Sequence, residues 1–194
     1  MIRGGSFVSH RSFRRRSIGA ALLAAGALLA IVTSPVTAAT TPGAVVVLTA
    51  AGEVDGTMST QIRNALDDAA ASQAAALVIK LNTPGGTFTD MQDIVSAMLE
   101  APIPVIVWVA PSGGYAASAG TFITLAANLS YMAPGTRIGA ASPIDSNGQD
   151  IPGTLGTKVR NDAIAFIRSI AQTRGRPVDW AASTVSAAQS SSAV

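Results

Sequence analysis

"IPVIVWVAPSGGYAASAGTFITLAA", residues 103–127, runs from a fully apolar, β-branched stretch into glycines, alanines and two serines, then back into apolar residues. The opening residues, Ile103 to Ala110, read as a strand buried on both faces, because a short apolar run without alternation leaves no side for water. The closing "FITLAA" reads as a helix entered near Ser118. A serine at a sharp strand-to-helix turn needs small neighbours, so that its hydroxyl projects and a substrate backbone can come close. Ser118 has Ala116 two places before it and Gly120 two places after, a partial match to the G-x-S-x-G elbow whose first glycine is here alanine. The same small residues would equally let a helix pack tightly against a sheet.

Upstream, the pattern of strand followed by helix repeats. "AVVVLTA", Ala44 to Ala50, and "ALVIKLN", Ala76 to Asn82, are short apolar runs bounded by proline and glycine and read as buried strands. Between them Ile62, Leu66 and Ala69 or Ala70 recur at helical spacing from about Thr57 to Ser72. Thr89, with Gln92 three residues later, predicts a capping box that opens a helix carrying Met91, Ile94, Val95, Met98 and Leu99 on one face. Downstream, "MAPGTRIGAASPI" is turn-rich with short strands, and Val159, Ala163, Phe166, Ile167 and Ile170 mark a last amphipathic helix stopped by Gly175 and Pro177. The tail, residues 182–194, is small and polar and reads as frayed, without a closing strand. Alternating strands and helices with strands apolar on both faces imply an α/β fold with a mostly parallel sheet covered by helices. Sites in such sheets form where strands end and helices begin.

The N-terminus belongs to another category. "RSFRRRSIGAALLAAGALLAIVTSPVTAAT" has a basic start, an apolar run of about 16 residues from Ser17 to Val32 and small-residue cleavage options near Ala38 and Ala39, the pattern of a secretory signal. The run is short for a membrane span, and an uncleaved anchor is the alternative. Residues 1–39 are therefore expected to be a signal peptide and residues 40–181 the working domain, exported or held at the membrane. The signal carries His10 and five arginines, while all 11 acidic residues lie beyond it. The remainder has eight basic residues and a net charge of −3, which removes any case for nucleic-acid binding. Cysteine is absent, so thiol catalysis and thiolate metal sites are excluded. With no histidine beyond the expected signal either, neither a metal site nor a cofactor is expected.

Two further segments bear on Ser118. "NTPGG", residues 82–86, ends a strand with Gly85 and Gly86, whose backbone N–H groups could join that of Ala119 to stabilise an oxyanion. A plain Pro-Gly turn is the simpler account. A serine also needs a base, and with the sole histidine in the signal a Ser-His-Asp triad is impossible in the exported chain. Lysine remains, and only Lys80 and Lys158 exist. Lys80, inside a strand, reads as a strand-end or edge charge. Lys158, placed at the start of the last helix, can lie near the interior, where burial and the helix dipole would disfavour its ammonium, or it can be a solvated charge.

Taken together, "LNTPGGTFTDMQDIVSAMLEAPIPVIVWVAPSGGYAASAGTFITLAANLSYMAPGTRIGAASPI" and "TKVRNDAIAFIRSIAQTRGRPVDWA" closely resemble the membrane-bound Clp-class serine proteases of the nodulation-efficiency-protein-D (NfeD) type, over about Ala44 to Ala181. The resemblance implies a Clp/crotonase-like spiral of ββα units and a Ser-Lys dyad. It assigns the nucleophile to Ser118, the general base to Lys158 and the oxyanion donors to Ala119 and Gly86, with Gly85 the alternative to Gly86. It implies apolar peptide segments of membrane proteins as substrates, stomatin-like partners, and association as a homodimer or larger oligomer. The sequence departs from the family at Asn82, where aspartate is usual, in a short segment from Asp145 to Thr157 whose only charges are two aspartates, and in a C-terminus expected to be incomplete. A non-catalytic peptide-binding module and a crotonase-type acyl-CoA enzyme are the competing readings.

Overall fold

The computed structural model describes residues 43–194; the expected signal segment lies outside the described residues. Strands β1 (Val45–Ala51), β2 (Ala76–Asn82), β3 (Val105–Val109) and β5 (Leu129–Met132) form a parallel sheet in the order β1-β2-β3-β5. A second, smaller sheet holds β4 (Tyr115–Ala117), β6 (Arg137–Gly139) and β7 (Ser190–Ser192), with β4 and β6 parallel and β7 antiparallel to β6. The helices are α1 (Gly56–Ala71), α2 (Phe88–Glu100), α3 (Ala119–Ala126), α4 (Gly153–Thr173) and α5 (Val178–Ser186). Isolated parallel bridges join Val54 to Gly86 and Thr83 to Ala116. Each strand of the large sheet therefore runs on into the second layer and then into a helix: β1 through Val54 into α1, β2 through Thr83 and Gly86 into α2, β3 through β4 into α3, and β5 through β6 into α4. This is the ββα spiral expected from the resemblance.

Periodicity decides what is buried. Met58, Ile62, Leu66 and Ala69 of α1 and Met91, Ile94, Val95 and Met98 of α2 face the sheet, where Leu77, Ile79, Leu81, Val105, Val107 and Val109 meet them. Each large apolar side chain buried there contributes on the order of 2 kcal/mol. The alternate residues of the same strands do not share this burial. Val47, Val78, Ile106 and Leu129 line up across the four strands on the opposite face, and so do Thr49, Lys80, Trp108 and Tyr131. Val47, Trp108, Leu129 and Tyr131 are exposed there. The expectation of strands buried on both faces is thus corrected: the described helices cover one face only. Lys80 lies on the open face, its Nζ 5.6 Å from the centroid of the Trp108 ring.

Three boundaries also move. Helix α2 is capped by Thr87, whose hydroxyl accepts the Asp90 N–H, two residues before the predicted Thr89. Helix α4 begins at Gly153, so Lys158 stands in its second turn rather than at its start. The closing residues, expected to fray, instead finish α5 and supply β7; backbone pairing with β6 holds the serines of 190–192, and Trp180 Nε1 donates to Ser191 Oγ at 3.0 Å. Such pairing needs no apolar side chain, so hydropathy carries no trace of it. After α4, Arg174 donates to the carbonyls of Ala126 (2.7 Å) and Met98 (3.1 Å), and Arg176 to that of Ala127 (3.1 Å). These guanidinium groups satisfy helix-end carbonyls and pin the C-terminal end of α4 to α2 and α3. No helix among the described residues is long and apolar enough to cross a membrane.

Candidate active site

The chain reaches Ser118 from β4 and leaves it into α3, and the reversal forces the serine to φ 51° and ψ −117°. A non-glycine residue with positive φ costs on the order of 1–3 kcal/mol and persists only where its surroundings hold it. Here the Ser118 N–H donates to the Gly139 carbonyl at 2.9 Å, and the Ser118 carbonyl accepts the Thr121 N–H at 2.9 Å. Glycine at 120 is a packing requirement, because a Cβ there would lie 2.5 Å from Thr83 Cγ2 and 3.3 Å from Ala116 Cβ. The two accounts of the small residues are therefore compatible: they seat α3 against β2, and they leave the serine half-buried at the turn.

The strip after β2 lies directly against this serine. A Cβ on Gly85 would sit 2.6 Å from Ser118 Cβ and 3.1 Å from its Oγ, and Gly85 has φ +117°, so only glycine fits. The Gly85 N–H is already engaged by Thr83 Oγ1 at 3.1 Å, and its carbonyl by the Val54 N–H at 2.7 Å. Among the described residues no protein acceptor takes the N–H of Gly86 or of Ala119. Asn82 Oδ1 accepts the Tyr115 N–H at 3.1 Å, a bond that an aspartate could also make. The amide thereby supports the turn leading to Ser118 rather than any reacting atom.

Lys158 is placed differently. Helix α4 buries Gly156, Ala163, Ile167, Ile170 and Ala171. At about 100° per residue, position 158 falls some 140° around the helix from Ala163. Its side chain is exposed, and it makes no hydrogen bond or ion pair among the described residues, with Ser118 or any other group. Of the two readings of Lys158, the solvated charge is the one found. Ahead of it, Asp145 Oδ1 accepts the N–H groups of Gln149 (2.8 Å) and Asn147 (2.9 Å) in the hairpin that precedes α4. The Gln149 bond, then that of Asn147, holds the exposed Asp145 carboxyl below the ordinary carboxylate range.

Three rings tie these parts together. Phe88, two residues after Gly86, meets Phe122, four after Ser118, edge-on at 6.2 Å, and Phe166, eight after Lys158, at 6.4 Å. Phe122 and Phe166 stack at 5.9 Å. Phe122 and Phe166 sit on the helices that carry Ala119 and Lys158, and Phe88 opens the helix that follows Gly86. Sequence reasoning missed the contribution of β6, whose Gly139 receives the Ser118 N–H; the glycine of "RIGA" was its only visible trace.

A profile of the NfeD1b N-terminal domain matches residues 44–192. The chain is 47% identical over 106 residues to the membrane-bound protease PH1510 of Pyrococcus horikoshii, a match covering 53% of this chain and 24% of that protein. It thus spans about a quarter of the length of that relative. Among solved structures it is similar to a serine-to-alanine mutant of the 1510-N membrane-bound stomatin-specific protease (TM-score 0.72, 36% identity, 79% of this chain and 74% of that one). It is equally similar to a lysine-to-alanine mutant of that protease in complex with a substrate peptide (TM-score 0.72, 35% identity, 79% and 70%). ClpP1 from Listeria monocytogenes shares the fold, with a TM-score of 0.60 at 20% identity over 75% of this chain and 82% of that one. The chain belongs to the NfeD1b N-terminal-domain family and has the Clp-like α/β fold.

Proposed function

We propose that this domain is a serine endopeptidase in which Ser118 is the nucleophile, Lys158 the general base, and the N–H groups of Gly86 and Ala119 the oxyanion donors. The observation that carries the reading is the elbow itself: a strained serine at a strand-to-helix turn, with a glycine strip packed against its Cβ and Oγ. Gly86 is favoured over Gly85 because the Gly85 N–H is occupied by Thr83. The mutated serine and lysine of the similar solved structures support the same pair. In the reaction Ser118 Oγ attacks the peptide carbonyl carbon while its proton passes to uncharged Lys158 Nζ, and the free N–H groups receive the oxyanion. Collapse breaks the C–N bond, Lys158 returns the proton to the leaving amine, and water then cleaves the acyl ester.

A general base acts in its uncharged form. An apolar substrate segment lying over Lys158 would exclude water from it and favour the neutral form. The substrates are accordingly apolar segments of membrane proteins, with stomatin-like proteins as partners and a homodimer or larger assembly as the working form. Exposure of Lys158 also favours a second reading, a peptide-binding module without turnover. Ser118→Ala and Lys158→Ala should each abolish cleavage of an apolar peptide, and a fluorophosphonate should label Ser118 in the unchanged chain. Cleavage that survives either substitution would refute the dyad; a folded chain that the probe leaves unlabelled would establish the module instead.

A further inference from the structure

We infer that Thr121 is the positioning residue of the nucleophile, holding Ser118 in its left-handed conformation from beneath the elbow; this rests on the reading of Ser118 as the nucleophile. Thr121 is fully buried. Its Oγ1 lies 3.0 Å from the Ala116 carbonyl and 3.0 Å from the Gly139 carbonyl, between which its single proton is shared, and it accepts the Gly139 N–H at 3.0 Å. The Thr121 N–H donates to the Ser118 carbonyl, and the Ser118 N–H donates to the Gly139 carbonyl, both at 2.9 Å. The Thr121 hydroxyl and backbone N–H together thus link the residue two places before the serine, the serine's carbonyl and strand β6 into a closed ring of hydrogen bonds.

A second threonine on the same helix shows that this geometry is specific. A threonine inside a helix ordinarily returns its hydroxyl to the carbonyl one turn back. Thr124 does so, donating to Gly120 at 2.7 Å within α3. Thr121 instead reaches past that turn to Ala116 in β4 and across to Gly139 in β6, so its hydroxyl fixes the relation of the elbow to the second sheet. Gly139 can occupy this place only as glycine, since it has φ +127° and a Cβ there would meet the Gln189 carbonyl at 2.2 Å.

The test uses fluorophosphonate labelling of the whole chain, in which Ser118 Oγ forms the bond to phosphorus, fluoride leaves and the serine proton passes to the base. Thr121→Val, which keeps the shape and removes the hydroxyl, should slow labelling by about 100-fold, the cost of a misplaced reacting atom. Thr121→Ser should restore the rate to within about threefold, Thr124→Val should leave it unchanged, and the pH dependence of labelling should keep its midpoint in all three, because the base is untouched. Equal slowing by Thr121→Val and Thr124→Val would mean that loss of any buried hydroxyl in α3 suffices, and would overturn the assignment. Should Thr121→Val fail to fold by circular dichroism, Thr121→Ser and Thr121→Ala decide the matter, since both lack the methyl group and differ only in the hydroxyl. Equal rates for that pair would overturn the assignment. Absence of labelling in the folded, unchanged chain removes the nucleophile reading and this one with it, whereas normal labelling of every Thr121 variant removes this one alone.

Discussion

The elbow at Ser118 and the first half of helix α4 at Lys158 are the two halves of one proposed reaction, and they are built in opposite ways. Ser118 is gripped from both sides by β6 and α3, with Gly85 packed against its side chain. Lys158 stands exposed on a helix whose packing begins in earnest at Ala163 and is pinned at its far end by Arg174 and Arg176. The proposed nucleophile and donor strip are thus preorganised by the chain itself, and the proposed base is left open to whatever covers it. For a protease of apolar segments this division has a physical use, since the substrate would complete the site by excluding water from the amine.

The comparison can be broken most forcefully at the preorganised half. Gly85→Ala would drive a Cβ to 2.6 Å from Ser118 Cβ at a backbone angle that alanine rarely adopts, so it should cost about 3 kcal/mol and abolish labelling of Ser118. Denaturant unfolding and probe labelling read the two effects, and an unaltered rate would show that the strip does not support the serine. Phe166→Ala comes next. Removing the ring stacked on Phe122 should lower stability by roughly 2 kcal/mol, less than the value for a fully buried ring, and slow cleavage more than Ser118 labelling falls in the same variant. Equal losses would mean that the ring supports both halves alike.

Smaller effects sharpen the contrast. Ser118→Gly should raise stability by about 1 kcal/mol, or ~3 °C in melting temperature, because glycine adopts positive φ without strain. A loss of stability would place the strain elsewhere. Lys158→Ala should change the melting temperature by less than that, within about 0.5 kcal/mol, as expected of an exposed residue without partners. A marked destabilisation would reveal a contact of the amine in solution. The least effect belongs to Asp145, whose depressed folded pKa contributes stability present above the unfolded value and lost as pH falls through the folded one. Asp145→Asn should therefore lower stability slightly at neutral pH and make no difference once pH is below the folded value, and a loss that persists unchanged in acid would contradict this.

Much of the frame was legible before any coordinates. The stripe of Met91, Ile94, Val95 and Met98 marked the buried side of α2, and the run from Ile103 onward placed β3 and the serine turn after it. The cap of α2 was misplaced because Thr87 and Thr89 both offer a hydroxyl near an acidic or amide residue, and only backbone geometry selects Thr87. The open face of the sheet was misread because Val47, Trp108 and Tyr131 are as apolar as their buried neighbours. Hydropathy records what a side chain prefers, and the number of helices available decides whether the preference is met.

The order of elements, the apolar faces, the glycine strip and the serine set between alanines follow from the chain alone, because they depend on residue type and on spacings of a few positions. The ring through Thr121 and Gly139 and the pairing of the closing serines with β6 were decided only by the tertiary structure. Each of these joins groups distant in sequence through hydrogen bonds. Neither leaves a periodic signature in the residues concerned.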